Sequence, residues 1–240
     1  MDAQKENKLY LFPVLLAPET QDRVLSPYHQ DLLKRQKIFF VENLRSARRF
    51  ISSLKLGLVI DELQFFVLDK KTKLADIQEG LDLLKAGASA GVLSEAGCPG
   101  IADPGGLLVA WAHRQGIEVE PLVGPSSILL ALMASGFNGQ SFAFHGYLPI
   151  KEPQRTQALK ELEQTSARSK QTQIFMETPY RNDQLMEKIL KACRGETSLC
   201  LAVNLTAPEE WIQTKKIKDW RKKKPSLHKK PAIFLLYGST

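Results

Sequence analysis

Residues 94–106 read Ser94-Glu95-Ala96-Gly97-Cys98-Pro99-Gly100-Ile101-Ala102-Asp103-Pro104-Gly105-Gly106, which places two carboxylates among four glycines and two prolines. Glycines let backbone approach a ligand closely, and prolines limit the loop conformers that binding must freeze. A preformed ligand wall is the natural product. Glu95 and Asp103 suit a cation that carries an ammonium or sulfonium group together with hydroxyls. Asp103 serves equally well as a turn or helix-capping acid. The spacing G-x-x-G-x-x-x-x-G-G matches neither G-x-G-x-x-G nor G-x-x-x-x-G-K-[ST], so the loops that cradle a pyrophosphate or a triphosphate are absent. The four-residue turn Gly124-Pro125-Ser126-Ser127 again follows an apolar segment and opens a helix over 128–134. Capping physics alone would place a proline there. At neighbouring strand ends, the two turns would form opposite walls of one pocket.

These turns need strands to carry them. Apolar runs predict strands over 8–13, 37–42, 89–94, 117–123, 141–147, 173–176, 198–204 and 232–237. Leu74, Ile77, Leu81 and Leu84 repeat at helical spacing, as do Leu185 with Ile189 and Met186 with Leu190. Strands alternating with one-sided helices define an α/β protein, in which ligands sit at strand ends. The turn formers of Gly136-Phe137-Asn138-Gly139-Gln140-Ser141 mark a domain boundary. The expected organisation is an amino-terminal α/β domain over 1–138 that bears the loops, and a carboxy-terminal α/β domain over 139–240 that completes the site. The stretch 220–230, poor in apolar residues and carrying Pro225, reads as a mobile loop.

Composition narrows the class. A chain of 240 residues with 43% hydrophobic content can bury a substantial core. Cys98, Cys193 and Cys200 form no CxxC pair and no even framework, which points to reduced thiols. Cys98 has no histidine near it in sequence to activate it and reads as a packing residue. His29, His113, His145 and His228 are scattered, and no metal is expected. Residues 1–8 are polar and charged, and no run reaches the roughly 18 apolar residues of a membrane span, so a cytoplasmic protein with no membrane partner is expected. Net charge is +7, yet residues 215–230 hold nine Lys or Arg against one Asp, a local +8 that leaves the rest near −1. Such a patch suits a polyanion, or is simply a solvated face. No G-x-S-x-G elbow and no dinucleotide fingerprint occurs, which disfavours a simple hydrolase or dehydrogenase.

Several of these segments, in this order, resemble the tetrapyrrole-methylase-type (class III) methyltransferases, and within them the branch that acts on ribosomal RNA. The run 94–105 is similar to S-D-A-G-T-P-x-I-S-D-P-G, and Gly124-Pro125-Ser126-Ser127 to P-G-P-S-A, with Gly116-Ile117 between them and Ser135-Gly136 after. His145-Gly146-Tyr147-Leu148-Pro149 with Arg155 looks like the end of F-x-G-F-L-P and its downstream arginine. Phe175-Met176-Glu177-Thr178-Pro179-Tyr180-Arg181 looks like F-Y-E-S-P-H-R, and Leu205-Thr206 with Glu209-Glu210 matches parts of R-E-L-T-K and E-E. The resemblance covers most of 90–238.

It implies a two-domain α/β enzyme, usually a homodimer, that holds S-adenosylmethionine in an interdomain cleft and methylates a ribose 2′-hydroxyl of ribosomal RNA in the small subunit. The cofactor-binding residues so expected are Ser94, Glu95, Ala96, Gly97, Gly100, Ile101, Asp103, Gly124, Pro125, Ser126 and Ser127, with Pro231 and Ala232. An alcohol acceptor benefits from a base, and Glu177 with Arg181 is the expected acid/base or substrate-orienting pair, or else a surface ion pair. The amino-terminal third departs from the pattern. Pro13-Val14-Leu15-Leu16-Ala17-Pro18 stands in place of A-T-P-I-G-N-L, Glu42-Asn43-Leu44-Arg45 in place of E-D-T-R, and Val203-Asn204-Leu205-Thr206-Ala207 in place of R-E-L-T-K. The lost charges would touch RNA or assist proton removal. Two other readings therefore stand beside the first: a methylase of a tetrapyrrole or other small acidic acceptor, and a noncatalytic RNA-binding relative.

Overall fold

A computed structural model of the chain describes residues 7–238. The chain forms two compact units that join at Ser126–Ser127. The first holds a sheet of β1 (Lys8–Phe12), β2 (Ile38–Val41), β3 (Gln64–Val67), β4 (Ala90–Leu93) and β5 (Glu118–Pro121), all parallel in the order β3-β2-β4-β1-β5. Helices α1 (Gln21–Val24) and α2 (Pro27–Arg35) follow β1, α3 (Leu44–Ser53) follows β2, α4 (Gln78–Lys85) precedes β4, and α5 (Gly105–Arg114) follows it.

Successive side chains of a strand point to opposite faces, so one short apolar strand feeds two cores. Phe40 and Val92 join Leu81, Leu84, Leu108 and Trp111 beside α4 and α5. Phe39, Val41 and Leu93 join Leu32, Leu33, Ala47 and Ile51 beside α2 and α3. The connections out of β1 and β2 run toward one edge of the sheet and those out of β3 and β4 toward the other. Right-handed crossovers then put the two sets of helices on opposite faces, and the winding reverses between β4 and β1, the position at whose carboxyl ends sheets of this kind bind ligands.

The second unit carries α6 (Ser127–Ser135), β6 (Phe142–Tyr147), α7 (Gln154–Ser169), β7 (Thr172–Met176), α8 (Asn182–Ala192), β8 (Ser198–Val203), β9 (Trp211–Lys216), α9 (Ile217–Lys222) and β10 (Ala232–Tyr237). Its sheet order is β6-β7-β10-β8-β9, with β6 and β7 parallel and the remaining pairs antiparallel. Phe175 and Phe234 stack at 5.8 Å in a core shared with Leu159, Met186, Ile189 and Trp220.

Each strand expected from the sequence has its counterpart, and β3 and β9 are additional. The join lies ahead of the expected boundary after Asn138 because α6 packs on β8, β9 and β10, where Thr214 Oγ1 donates to the Ser135 carbonyl at 2.8 Å. Residues 220–230 are not the free loop expected. Trp220 and Leu227 are buried, the Trp220 indole donates to the Leu199 carbonyl at 3.0 Å, and Leu227 N–H donates to Asp183 Oδ1 at 2.7 Å.

Candidate functional site

Three loops meet at the carboxyl ends of β1, β4 and β5. Val14 and Gly97 exchange backbone hydrogen bonds of 2.9 and 3.3 Å, which ties the loop after β4 to the loop after β1. Gly124, after β5, lies so close to Pro13 that a Cβ built on it would fall 2.2 Å from the proline Cβ. The Cys98 thiol donates to the Pro125 carbonyl at 3.4 Å. Burial, followed by the nearby Asp103, pushes that thiol above its ordinary range, so Cys98 packs and is not a thiolate nucleophile.

Within the loop, Asp103 works on its own backbone. Its carboxylate accepts from Gly100 N–H at 2.9 and 3.0 Å and from Gly105 N–H at 2.7 Å, clamping the turn that leads into α5. Gly97 and Gly100 have φ of 73° and 83°, which glycine adopts without strain, and Ala102 is held at 66°. Ser94 is buried, and its hydroxyl donates to Gly97 O at 3.3 Å. Glu95, Ala96 and Ile101 face solvent. Glu95 Oε1 accepts from the Ser46 hydroxyl at 3.1 Å, while its N–H donates to Glu42 Oε2 at 3.1 Å. Burial first, then the charges of Glu95 and Asp103, raise the Glu42 carboxyl above the usual carboxylate range. Residues 94–106 hold no Lys or Arg. A loop that carries carboxylates and no cation of its own suits a cationic ligand better than a phosphate.

In the second unit, β7 and α7 bring a different group together. Glu177 is buried at the end of β7, where its Oε1 accepts from Arg181 at 2.6 Å and from Thr178 N–H at 2.7 Å. Its Oε2 accepts from Arg155 at 3.3 Å, and Arg155, also buried, donates to the Pro149 carbonyl at 2.7 Å. Burial alone would raise the Glu177 carboxyl. The Arg181 hydrogen bond, the Thr178 N–H and the two guanidinium charges outweigh it and hold the group below its ordinary value. Arg181 is held above its own ordinary range, chiefly by its hydrogen bond to Glu177. The structure thus joins the expected pair and adds Arg155, whose side chain reaches Glu177 from 22 residues away. Pro231 and Ala232 lie at the start of β10, where the Pro231 carbonyl accepts from Asn204 N–H at 3.0 Å.

A parallel sheet with glycine-proline loops locked at its reversal point, followed by a mixed sheet, defines an α/β ligand-binding class. The chain belongs to the tetrapyrrole (corrin/porphyrin) methylase family, whose model matches residues 30–220. It is similar to the ribosomal RNA small subunit methyltransferase I of Vibrio cholerae, 33% identical over 183 residues that cover 76% of this chain and 60% of that protein. It is also similar to the protein of that name from Thermotoga maritima, 36% identical over 62% of this chain and 66% of the relative. The match to the Mesorhizobium japonicum protein of the same name takes in only 43% of that relative, so the chain spans about half the length of some curated relatives. Among solved structures, the methyltransferase CobJ is 18% identical with a TM-score of 0.62, covering 96% of this chain and 93% of its own. A uroporphyrin-III C-methyl transferase from Thermus thermophilus, complexed with S-adenyl homocysteine, is 18% identical with a TM-score of 0.57, covering 96% and 97%. Both share the fold.

Among the described residues, no helix is long and apolar enough to cross a membrane.

Proposed function

We propose that the chain is an S-adenosylmethionine-dependent methyltransferase that modifies a ribose 2′-hydroxyl of small-subunit ribosomal RNA, working in the cytoplasm as a homodimer. The observation that carries this reading is the acidic, cation-free loop after β4, pinned to the turns after β1 and β5, in a chain of a methylase family. The names of the curated relatives support RNA as the acceptor, and the local +8 of residues 215–230 supports a polyanion.

S-adenosylmethionine, when bound, would supply a methyl group on a positively charged sulfur. Exposed Glu95 would answer the ligand's ammonium group, and the backbone from Ala96 to Ile101, with Gly124, Pro125 and Ser126, would line the nucleoside. Asp103 would act through the loop by fixing Gly100 and Gly105. Ser127, Pro231 and Ala232 are likewise proposed as cofactor-binding residues. The acceptor oxygen would take the methyl group from that sulfur, and the hydroxyl proton would pass to solvent. Positioning supplies much of the acceleration in such a displacement. A carboxylate already held by two arginines is a poor base, so we assign Glu177 to orienting Arg181 toward the acceptor rather than to taking its proton.

Incubation with methyl-labelled S-adenosylmethionine and either isolated small ribosomal subunits or uroporphyrinogen tests the reading. Label is expected in a ribose of the subunit RNA. Label in the tetrapyrrole instead would assign a different acceptor, and label in neither would leave a noncatalytic binding protein.

A further inference from the structure

Tyr180 stands in the turn between β7 and α8, next to Arg181, and 68% of its surface is exposed. Its ring contact with His228 is edge-on, at 6.2 Å and 78°, and Lys229 Nζ lies 6.0 Å from its centroid. Both neighbours belong to the end of the basic stretch, and that end is lashed to the turn. Lys229 N–H donates to the Pro179 carbonyl at 3.0 Å, Asn182 Nδ2 to the Lys230 carbonyl at 2.7 Å, and Leu227 N–H to Asp183 Oδ1 at 2.7 Å.

Part of that stretch is neutralised within the chain. Glu196 takes Lys216 and Lys218 and is held down at about 2 by them, and Glu187 pairs with Lys224. An exposed aromatic ring on a tethered turn with a cation beside it is the arrangement that single-stranded nucleic acid uses for base stacking, with cations meeting the phosphates.

We propose that Tyr180, flanked by Arg181 and Lys229, is a stacking platform for an unpaired base of the RNA acceptor. This rests on the RNA reading given above, which it sharpens: the substrate segment is single-stranded where it meets the second unit.

A single-stranded RNA oligonucleotide carrying 2-aminopurine, and a duplex of the same sequence, provide the test. The wild type and Tyr180→Phe should quench the fluorescent base of the single strand but not of the duplex. Tyr180→Ala should lose the quench and bind the single strand roughly tenfold more weakly or worse, the scale of one lost base–aromatic stack. Its melting temperature should stay unchanged, because the ring is exposed. Quenching and affinity in Tyr180→Ala equal to wild type would overturn the platform while leaving ribosomal methylation standing. Failure of the wild type to bind any RNA or to methylate subunits, with uroporphyrinogen methylated, would overturn both.

Discussion

At the tip of β4, Asp103 accepts from the N–H groups of Gly100 and Gly105, two neighbours in its own loop. At the tip of β7, Glu177 accepts from Arg181, from Thr178 and from Arg155 on a separate helix. The first arrangement is local and largely backbone, its shape set by glycine and proline. The second is a cluster of three charges, Glu177 and Arg155 buried and Arg181 partly exposed, in which each arginine is compensated by the one carboxylate. A loop of the first kind can lose a contact and be re-ordered by its ligand, whereas a buried charge that loses its partner has nothing to replace it.

The largest effect should therefore come from Glu177→Ala, which strands Arg155 in the core and should cost about 3–5 kcal/mol in denaturant unfolding. Glu177→Gln keeps a hydrogen-bond acceptor and should cost less, about 1–3 kcal/mol, while lowering turnover with little change in cofactor affinity. A loss below ~1 kcal/mol in the alanine variant would mean that the cluster is not mutually dependent.

Asp103→Ala should be milder and local. Amide exchange at Gly100 and Gly105 should speed up, with about 1–3 kcal/mol of local protection lost and S-adenosylmethionine bound roughly tenfold more weakly. Saturating cofactor should restore the protection. Unaltered exchange in the free protein would show that the clamp is idle.

The smallest effect should come from mild acid, which acts on His29 in the first unit before it reaches Glu177 in the second. His29 is buried on α2, its Nε2 bonded to the Pro13 carbonyl at 2.9 Å, and burial lowers its proton affinity. Below the ordinary histidine value of 6.5 the unfolded chain takes up a proton that the folded chain refuses, so stability around α2 should fall as pH drops. Glu177 is depressed instead, so its contribution is full above the ordinary 4.5 and is lost only as pH falls through its lower folded value. Glu42, with its raised carboxyl, acts oppositely to His29, so the dependence should be read as the difference from His29→Gln. Equal exchange at α2 amides in both proteins between pH 6.5 and 4.5 would refute it.

Buried strands were legible because β2, β4 and β8 are short apolar runs, closed in on both faces. The two missed strands are edges. β3 reads Gln-Phe-Phe-Val with both ends exposed, and β9 reads Trp-Ile-Gln-Thr-Lys-Lys, so neither gives a buried-strand signal. The stretch 220–230 misled because low apolar content hid the fact that Trp220 and Leu227 are both buried. In the site, the glycine-proline loop could be read locally, since its shape is set by its own residues. The partnership of Arg155 with Glu177 could not, because a salt bridge across 22 residues leaves no spacing rule in a single sequence. Nor could the inward turn of Asp103, since a capping acid and a ligand acid look alike on paper.

Calorimetric titration with S-adenosylmethionine, on the wild type and on Gly124→Val, tests the central claim most directly. The added side chain must push the β5 turn off Pro13, where a Cβ would sit 2.2 Å from the ring. Micromolar binding by the wild type, lost in a variant that remains folded, is the predicted result. A wild type indifferent to millimolar cofactor, or a folded variant that binds as tightly, would contradict the claim that these joined loops hold it.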